Sequence, residues 1–351
     1  MKNLVINYNS LLDLNIGDYI QSLAAKQYFD NNKVVYCERD ELNNYTGEPA
    51  KVIYNCWFTA KPDNFPPSND VYPLFRSFHL NSGIADKVLS KQKNVEYFKK
   101  YEPIGCRDIN SANTFKSYGI DAYFSGCLTT TLGNTYKFNG DRKGIYVVDI
   151  ISTYPSPKNT IDHKIEILDM IFFSLFNIKQ VISVYKNLMK NNPIKSKGKK
   201  NIFRRWLYCS RTYKICKEMF DKEALKDISY ITHLYDKNDI SSTEDRFARA
   251  DELLTKYSRA SLVLSSRIHC ILPCLGMNTS AIYFDQINDH ALSSCRKKGL
   301  IELFNIVSLD KTKIVSNKFG KLSTDTSILN SNDYKKYSDN LTEDCTKFIN
   351  M

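Results

Sequence analysis

Ser265-Ser266-Arg267-Ile268-His269 sets a guanidinium and an imidazole two positions apart, directly after the apolar run Leu262-Val263-Leu264. Arginine offers a planar fork for a carboxylate or a phosphate. Histidine titrates near neutrality and can pass a proton. A strand ending here and a helix beginning here would bring both side chains to a helix N-terminus, where the dipole and free N–H groups favour an anion. The chemistry expected is therefore anion binding coupled to proton transfer, with Arg267 and His269 as the catalytic pair. The chain has only five histidines, at 79, 163, 233, 269 and 290. A core histidine with a purely structural role is the plain alternative.

Other segments could contribute. Asn15-Ile16-Gly17-Asp18 precedes an amphipathic stretch, and its backbone N–H groups could hold an anion or a sugar hydroxyl. Gly17 permits close approach, and Asp18 with Gln21 three places on has capping-box spacing. The bland reading is a well-capped helix. The three-glycine spacing of a dinucleotide loop is missing. Arg107-Asp108 follows the short run Ile104-Gly105-Cys106. The pair reads first as an ion pair fixing a strand–helix turn, with Arg107 facing a cleft as the alternative. Cys127 to Leu132 clusters hydroxyls, and Thr129 there could bond a substrate or help turn the chain. His233 follows Tyr230-Ile231-Thr232. It is expected to be partly buried and bonded to backbone, with substrate binding as its second reading.

The elements that must hold these residues alternate. Strands are expected at Leu4 to Ile6, Val34 to Cys37, Val52 to Cys56, Ile104 to Cys106 and Ala122 to Phe124. Helices are expected over Tyr19 to Phe29 and Asp86 to Lys100. The polar, glycine-containing stretch Gly133 to Lys143 reads as a boundary. The pattern then restarts with a strand at Ile145 to Val148, a helix from Asp162 to Phe176 and a strand at Tyr230 to His233. A helix from Thr243 to Tyr257, a strand at Leu262 to Ser265, a helix ending near Gly276 and a strand at Ser280 to Phe284 complete it. Such alternation implies an α/β fold with mostly parallel sheets. The organisation expected is two Rossmann-like domains, 1–140 and 141–310, facing a central cleft in a GT-B-like layout. The tail, 311–351, is polar and partly helical.

The chain has 351 residues, 42% hydrophobic and 25% charged, ordinary for a globular protein and long enough for two domains of about 150 residues. Its net charge of +11 favours an acidic partner. Nucleic acid is disfavoured, because aromatic–basic stacking motifs are absent. Ten cysteines include no C-x-x-C pair, which argues against zinc or a disulfide framework and for free, mostly buried thiols in a reducing cytoplasm. The N-terminal apolar run is too short for a signal peptide, and no stretch approaches the ~20 residues of a spanning helix. The basic run from Lys190 to Arg205 could touch anionic lipid headgroups, placing the protein peripherally at the inner face of a membrane. A solvated surface is the alternative.

Taken together, Asn15 to Gln21, Arg107-Asp108, Ser125-Gly126-Cys127-Leu128-Thr129, and Ser266 to His269 with Pro273 resemble the polysaccharide pyruvyl transferase family, over roughly residues 3 to 285. The resemblance implies a GT-B-like fold. It also implies transfer of an enolpyruvyl-derived unit from phosphoenolpyruvate to a sugar of a cell-surface polysaccharide precursor, exopolysaccharide or capsule, as a pyruvate ketal. Arg267 and His269 match the arginine and histidine of that family's basic donor cleft. The scheme requires no metal or other cofactor. The resemblance breaks at Val148-Asp149-Ile150-Ile151-Ser152, where similar transferases carry an arginine and this chain has none. Either another cation substitutes, Arg107 or one of Lys190 to Arg205, or the donor differs. A glycosyltransferase using a nucleotide sugar and a non-catalytic glycan-binding protein are the competing readings.

Overall fold

The computed structural model describes residues 1–8, 14–151, 161–189, 199–235, 240–287 and 295–351. The chain is a mixed α/β protein built on two sheets that are wholly or mostly parallel. Strands β1 (Lys2–Asn7), β2 (Val34–Glu38), β3 (Ala50–Ile53) and β4 (Val71–Leu74) form the first, all parallel, in the order β2-β1-β3-β4. A separate parallel pair, β5 (Ile104–Cys106) and β6 (Ala122–Phe124), follows. The second sheet contains β7 (Ile145–Val148), β8 (Ile228–Ile231), β9 (Leu262–Ser265), β10 (Ala281–Gln286), β11 (Ile306–Asp310) and β12 (Lys313–Asn317). Its order is β8-β7-β9-β10-β11-β12, and only β12 runs antiparallel. Its central strands are almost continuously apolar because both faces are covered: every residue of β9 is buried.

In each sheet the first strand lies between the second and the third. The winding reverses there, and ligands of open α/β sheets bind beyond the carboxyl ends of strands at such a reversal. Around the sheets lie α1 (Ile16–Lys26), α2 (Ile109–Ser117), α3 (Ile161–Phe176), α4 (Ile178–Met189), α5 (Lys199–Met219), α6 (Thr243–Arg259), α7 (Ile268–Gly276) and α8 (Lys335–Asn350). The single helix expected over 86–100 is two, Ala85–Leu89 and Gln92–Lys100. Of the basic run, Lys190, Lys195 and Lys197 lie outside the described residues, and from Lys199 onward the run is the first part of α5.

Several contacts join the halves. Leu14–Asn15 pairs antiparallel with Leu234–Tyr235, and the Ile16 N–H donates to the His233 carbonyl at 2.9 Å. Helix α1 packs on α6 through an edge-on contact of Tyr19 with Phe247, ring centroids 5.3 Å apart, and Arg246 Nη1 donates to the Tyr19 hydroxyl at 3.2 Å. Helix α7 lies against the 3-10 helix Leu128–Asn134 at backbone distance. A Cβ on Gly276 would stand 1.9 Å from the Thr130 carbonyl oxygen, and one on Gly133 would stand 1.9 Å from that of Gly276. Only glycine fits either place.

Helix α8 returns the chain to the first half. It buries Leu341 and Cys345, sets Tyr337 edge-on to Phe124 and pairs Asp344 with Arg76 at 2.6 Å.

Candidate active site

The two halves meet at a polar crevice with an open volume of about 680 Å³, continuous with solvent. Asn15 and Gly17 line it from the first half, and His233, Arg267, His269 and Arg296 from the second. It sits beyond the ends of β7 and β9, at the winding reversal of the second sheet.

Asp149 organises this end of the sheet. It follows β7 with a φ of +43°, a left-handed conformation that aspartate tolerates better than most residues. Its Oδ2 accepts the backbone N–H of His233 at 2.9 Å and Nε of Arg267 at 3.3 Å. Its carbonyl accepts from the N–H and hydroxyl of Ser266. One residue thus fixes the ends of three neighbouring strands. One edge of the Arg267 guanidinium is held, and the side chain stays 25% exposed along the crevice.

Helix α1 was expected to open at Tyr19 under an Asp18 cap. It opens at Ile16, and Asn15 is the cap, its Oδ1 accepting the Gly17 N–H at 3.1 Å. The pairing of Leu14–Asn15 with a strand more than 200 residues away sets that start, so local spacing could not reveal it. Asp18 instead accepts from Gln21 Nε2 at 3.1 Å. Burial pushes its carboxyl up, against the pull of Arg39, Arg296, Arg107 and Arg267.

Arg107 and Asp108 do not form the expected ion pair. Asp108 caps α2 by accepting the Ser111 N–H at 2.8 Å, and its other oxygen meets His79 Nδ1 at 2.6 Å. Arg107 turns the other way and is almost fully buried. Its Nη1 donates to Gln21 Oε1 at 3.1 Å and to His269 Nε2 at 3.2 Å, while Nε and Nη2 have no hydrogen-bond partner. A buried guanidinium with three of its five N–H donors unpaired is costly.

Because Arg107 can only donate, the lone pair of His269 must be on Nε2 and its proton on Nδ1. Burial pushes His269 well below its ordinary value, and the charges of Arg107 and then Arg296 push it further. Arg296 is itself lowered by desolvation among its neighbours and by the like charge of Arg107, although its side chain remains exposed at the crevice. The imidazole is neutral under the charges of Arg107 and Arg296, with Arg267 lining the same crevice.

His233 is fully buried. Its Nε2 meets the Tyr257 hydroxyl at 2.8 Å, and Nδ1 has no partner. That Nδ1 lies 3.5 Å from where a Gly17 Cβ would be, and the His269 Cβ lies 3.4 Å from the same point. Glycine lets α1 approach both imidazoles. Thr129 is not brought to the crevice: it is buried in the 3-10 helix, its hydroxyl 3.2 Å from Cys127 Sγ. Five of the eight expected residues line the crevice, Arg107 and Asp18 lie behind it, and Thr129 is elsewhere.

Asp149, Tyr283, Arg296 and Lys297 were not anticipated. Asp149 directly follows an expected strand, and Arg296-Lys297-Lys298 is a basic triplet downstream of another, so both left a trace. Among the described residues no group of three or more His, Cys, Asp or Glu is placed to hold a metal ion. All ten cysteines are free, and all but Cys37 and Cys295 are buried.

A glycan-modifying transferase is the class to which such a basic, histidine-bearing crevice between two α/β halves points. The chain belongs to the polysaccharide pyruvyl transferase family, whose family model matches residues 83–288. Arg107, His233, Arg267 and His269 fall inside that span, whereas Asn15 and Gly17 precede it and Arg296 follows it. No match was found among curated proteins or among solved structures.

Proposed function

We propose that the protein moves an enolpyruvyl-derived unit from phosphoenolpyruvate onto a sugar of a surface polysaccharide precursor, closing a pyruvate ketal. The observation that carries this reading is the buried Arg107, two of its nitrogens unpartnered, beneath His269 and near Arg267 and Arg296. A small trianion suits the Arg267 and Arg296 guanidinium groups on the crevice wall, with the charge of buried Arg107 behind them. Arg296 supplies the cation that is missing after β7, where Asp149 positions Arg267 instead.

The chemistry assigns each group a task. A proton added to the methylene carbon of phosphoenolpyruvate leaves an oxocarbenium-like centre, which one sugar hydroxyl attacks. Phosphate departs, and a second hydroxyl closes the ketal. Two hydroxyl protons leave the sugar; one is balanced by the new methyl hydrogen and the other by the departing hydrogen phosphate. Burial and the arginine charges keep His269 neutral, and its basic Nε2 becomes available to a substrate proton only once its hydrogen bond with Arg107 opens. A bound trianion offsets the arginine charges, raises the affinity of His269 for a proton and lets it serve as the acid. Asn15 and Gly17 on one wall, and His233 on the other, would position the acceptor or donor oxygens.

The architecture proposed for this work is GT-B-like, residues 1–140 and 141–310 forming two lobes and 311–351 the tail. The reversed winding order in both sheets and the return of α8 support it. The cytoplasm, where both donor and precursor are made, is the proposed compartment.

The test is turnover with purified protein, phosphoenolpyruvate and a lipid-linked glycan. Phosphate release that requires both substrates, lost in Arg267→Ala and His269→Ala with the fold intact by circular dichroism, is the expected result. Release of a nucleoside diphosphate from a nucleotide sugar, with phosphoenolpyruvate inert, would assign the crevice to glycosyl transfer instead.

A further inference from the structure

Away from the crevice, large apolar side chains gather on the surface of α3 and α4. Ile165, Leu168, Phe172 and Leu175 recur at three- and four-residue spacing along α3, all exposed, and Phe176 at its end is 87% exposed. Helix α4 leaves at 103° and continues the patch with Ile178 and Ile182. The opposite faces are anchored: Val181, Val184 and Leu188 belong to the core beneath the second sheet, and Ser174 Oγ lies 2.6 Å from Ser210 Oγ on α5. An apolar surface this continuous on an otherwise well-packed protein marks a contact face.

Its charges show what the contact is. Lys164, Lys179 and Lys186 are exposed on the same two helices, and among the described residues none has a carboxylate partner. Among the described side chains the acidic groups of α3 are neutralised, Glu166 by Arg211 at 2.7 Å and Asp169 by Lys214 at 2.5 Å. The face is therefore apolar at its centre and basic at its margin. A second copy would bring like charges together, whereas a surface of lipid phosphates attracts them. Shape agrees. With 16 and 12 residues, α3 and α4 are about 24 Å and about 18 Å long, each short of the roughly 30 Å hydrocarbon core. Bent so sharply, they form no single spanning rod. The bend instead makes Phe176 the apex of an elbow, a shape received by a soft surface rather than by a straight partner helix.

We infer that the α3–α4 elbow docks on an anionic lipid bilayer, seating Phe172, Leu175, Phe176 and Ile178 at the headgroup–acyl boundary with the lysines among the phosphates. This site differs from the basic run that the sequence singled out, and it stands independently of the catalytic reading. Sedimentation with phosphatidylglycerol–phosphatidylcholine vesicles tests it. The wild-type chain binds these vesicles and binds pure phosphatidylcholine at least several-fold less. Replacing Phe172, Leu175 and Phe176 together by serine lowers binding at least tenfold. K179E with K186E lowers it several-fold and removes most of its salt sensitivity. A second probe keeps the apolar face intact: in F176W, acyl-chain bromination quenches the added tryptophan fluorescence. Wild-type binding by the triple serine variant, no vesicle binding by the wild type, no quenching in F176W, or a lipid-free dimer that the triple variant abolishes would each overturn the inference.

Discussion

His79 and His269 are both buried, both held neutral, and both pushed down in part by Arg107, yet their surroundings make them opposite kinds of group. His79 Nδ1 meets the Asp108 carboxylate and the Ser111 hydroxyl, inside the turn that starts α2. Burial and Arg107 bring it down to about 4, against the carboxylate that would raise it. His269 has a cation where His79 has an anion. Nothing fixed beside it favours the proton, so an arriving anion controls its charge. A carboxylate partner makes a histidine part of the scaffold; a guanidinium partner makes it responsive to ligand.

The largest effect expected follows from that contrast. His269→Ala should cut acceptor-dependent phosphate release by about 10²- to 10⁴-fold, the usual weight of a positioned acid or base, while His79→Asn changes it no more than a few-fold. Equal losses in both variants would erase the distinction. The next expectation concerns pH. His79 has a folded pKa of about 4 against 6.5 unfolded, so as pH falls through 6.5 the unfolded chain takes up a proton that the folded chain refuses. Stability is therefore full above 6.5 and declines toward pH 4, by roughly 3 kcal/mol for this residue at about 1.4 kcal/mol per unit. His269, lowered in the same direction, adds to the slope. Urea unfolding at pH 7 and 4.5 should show the decline, flattened in His79→Asn.

Arg107→Met should separate function from stability. It removes a buried charge with two unpaired nitrogens, so its melting temperature should equal or exceed that of the wild type while turnover is lost. Both imidazoles should then titrate higher by nuclear magnetic resonance; an unmoved His269 would contradict the coupling through Arg107. The smallest effect expected is that of Asn15→Ala. Losing the cap of α1 costs about 1 kcal/mol in thermal unfolding and raises KM for one substrate, leaving the His79 titration in place.

Legibility followed the range of the forces involved. Strands β5, β6, β7 and β9 coincide with the expected runs, because short apolar segments flanked by polar turns declare themselves locally. The Arg267–His269 turn was visible for the same reason. Strand β4 was missed: Pro73 in its interior argues against a strand, and its pairing with β3 decides the matter. Strands β11 and β12 were missed as well, β12 lying in a stretch that reads as a polar tail. Arg107 and Asp108 misled because neighbours in extended chain point to opposite sides, so adjacency in sequence separates side chains. The hub role of Asp149 and the convergence of Arg296 arise from β7, β8, β9 and the segment after β10 meeting at one end of a sheet, which no local spacing encodes.

The paired glycines at 133 and 276 have a consequence for how this enzyme spends free energy. They weld α7, the helix that carries His269 in its first turn, to the opposite half at backbone contact, leaving no slack for a wide hinge at that point. The entropy of assembling the crevice is thus lost once, during synthesis and folding, rather than at each encounter with substrate.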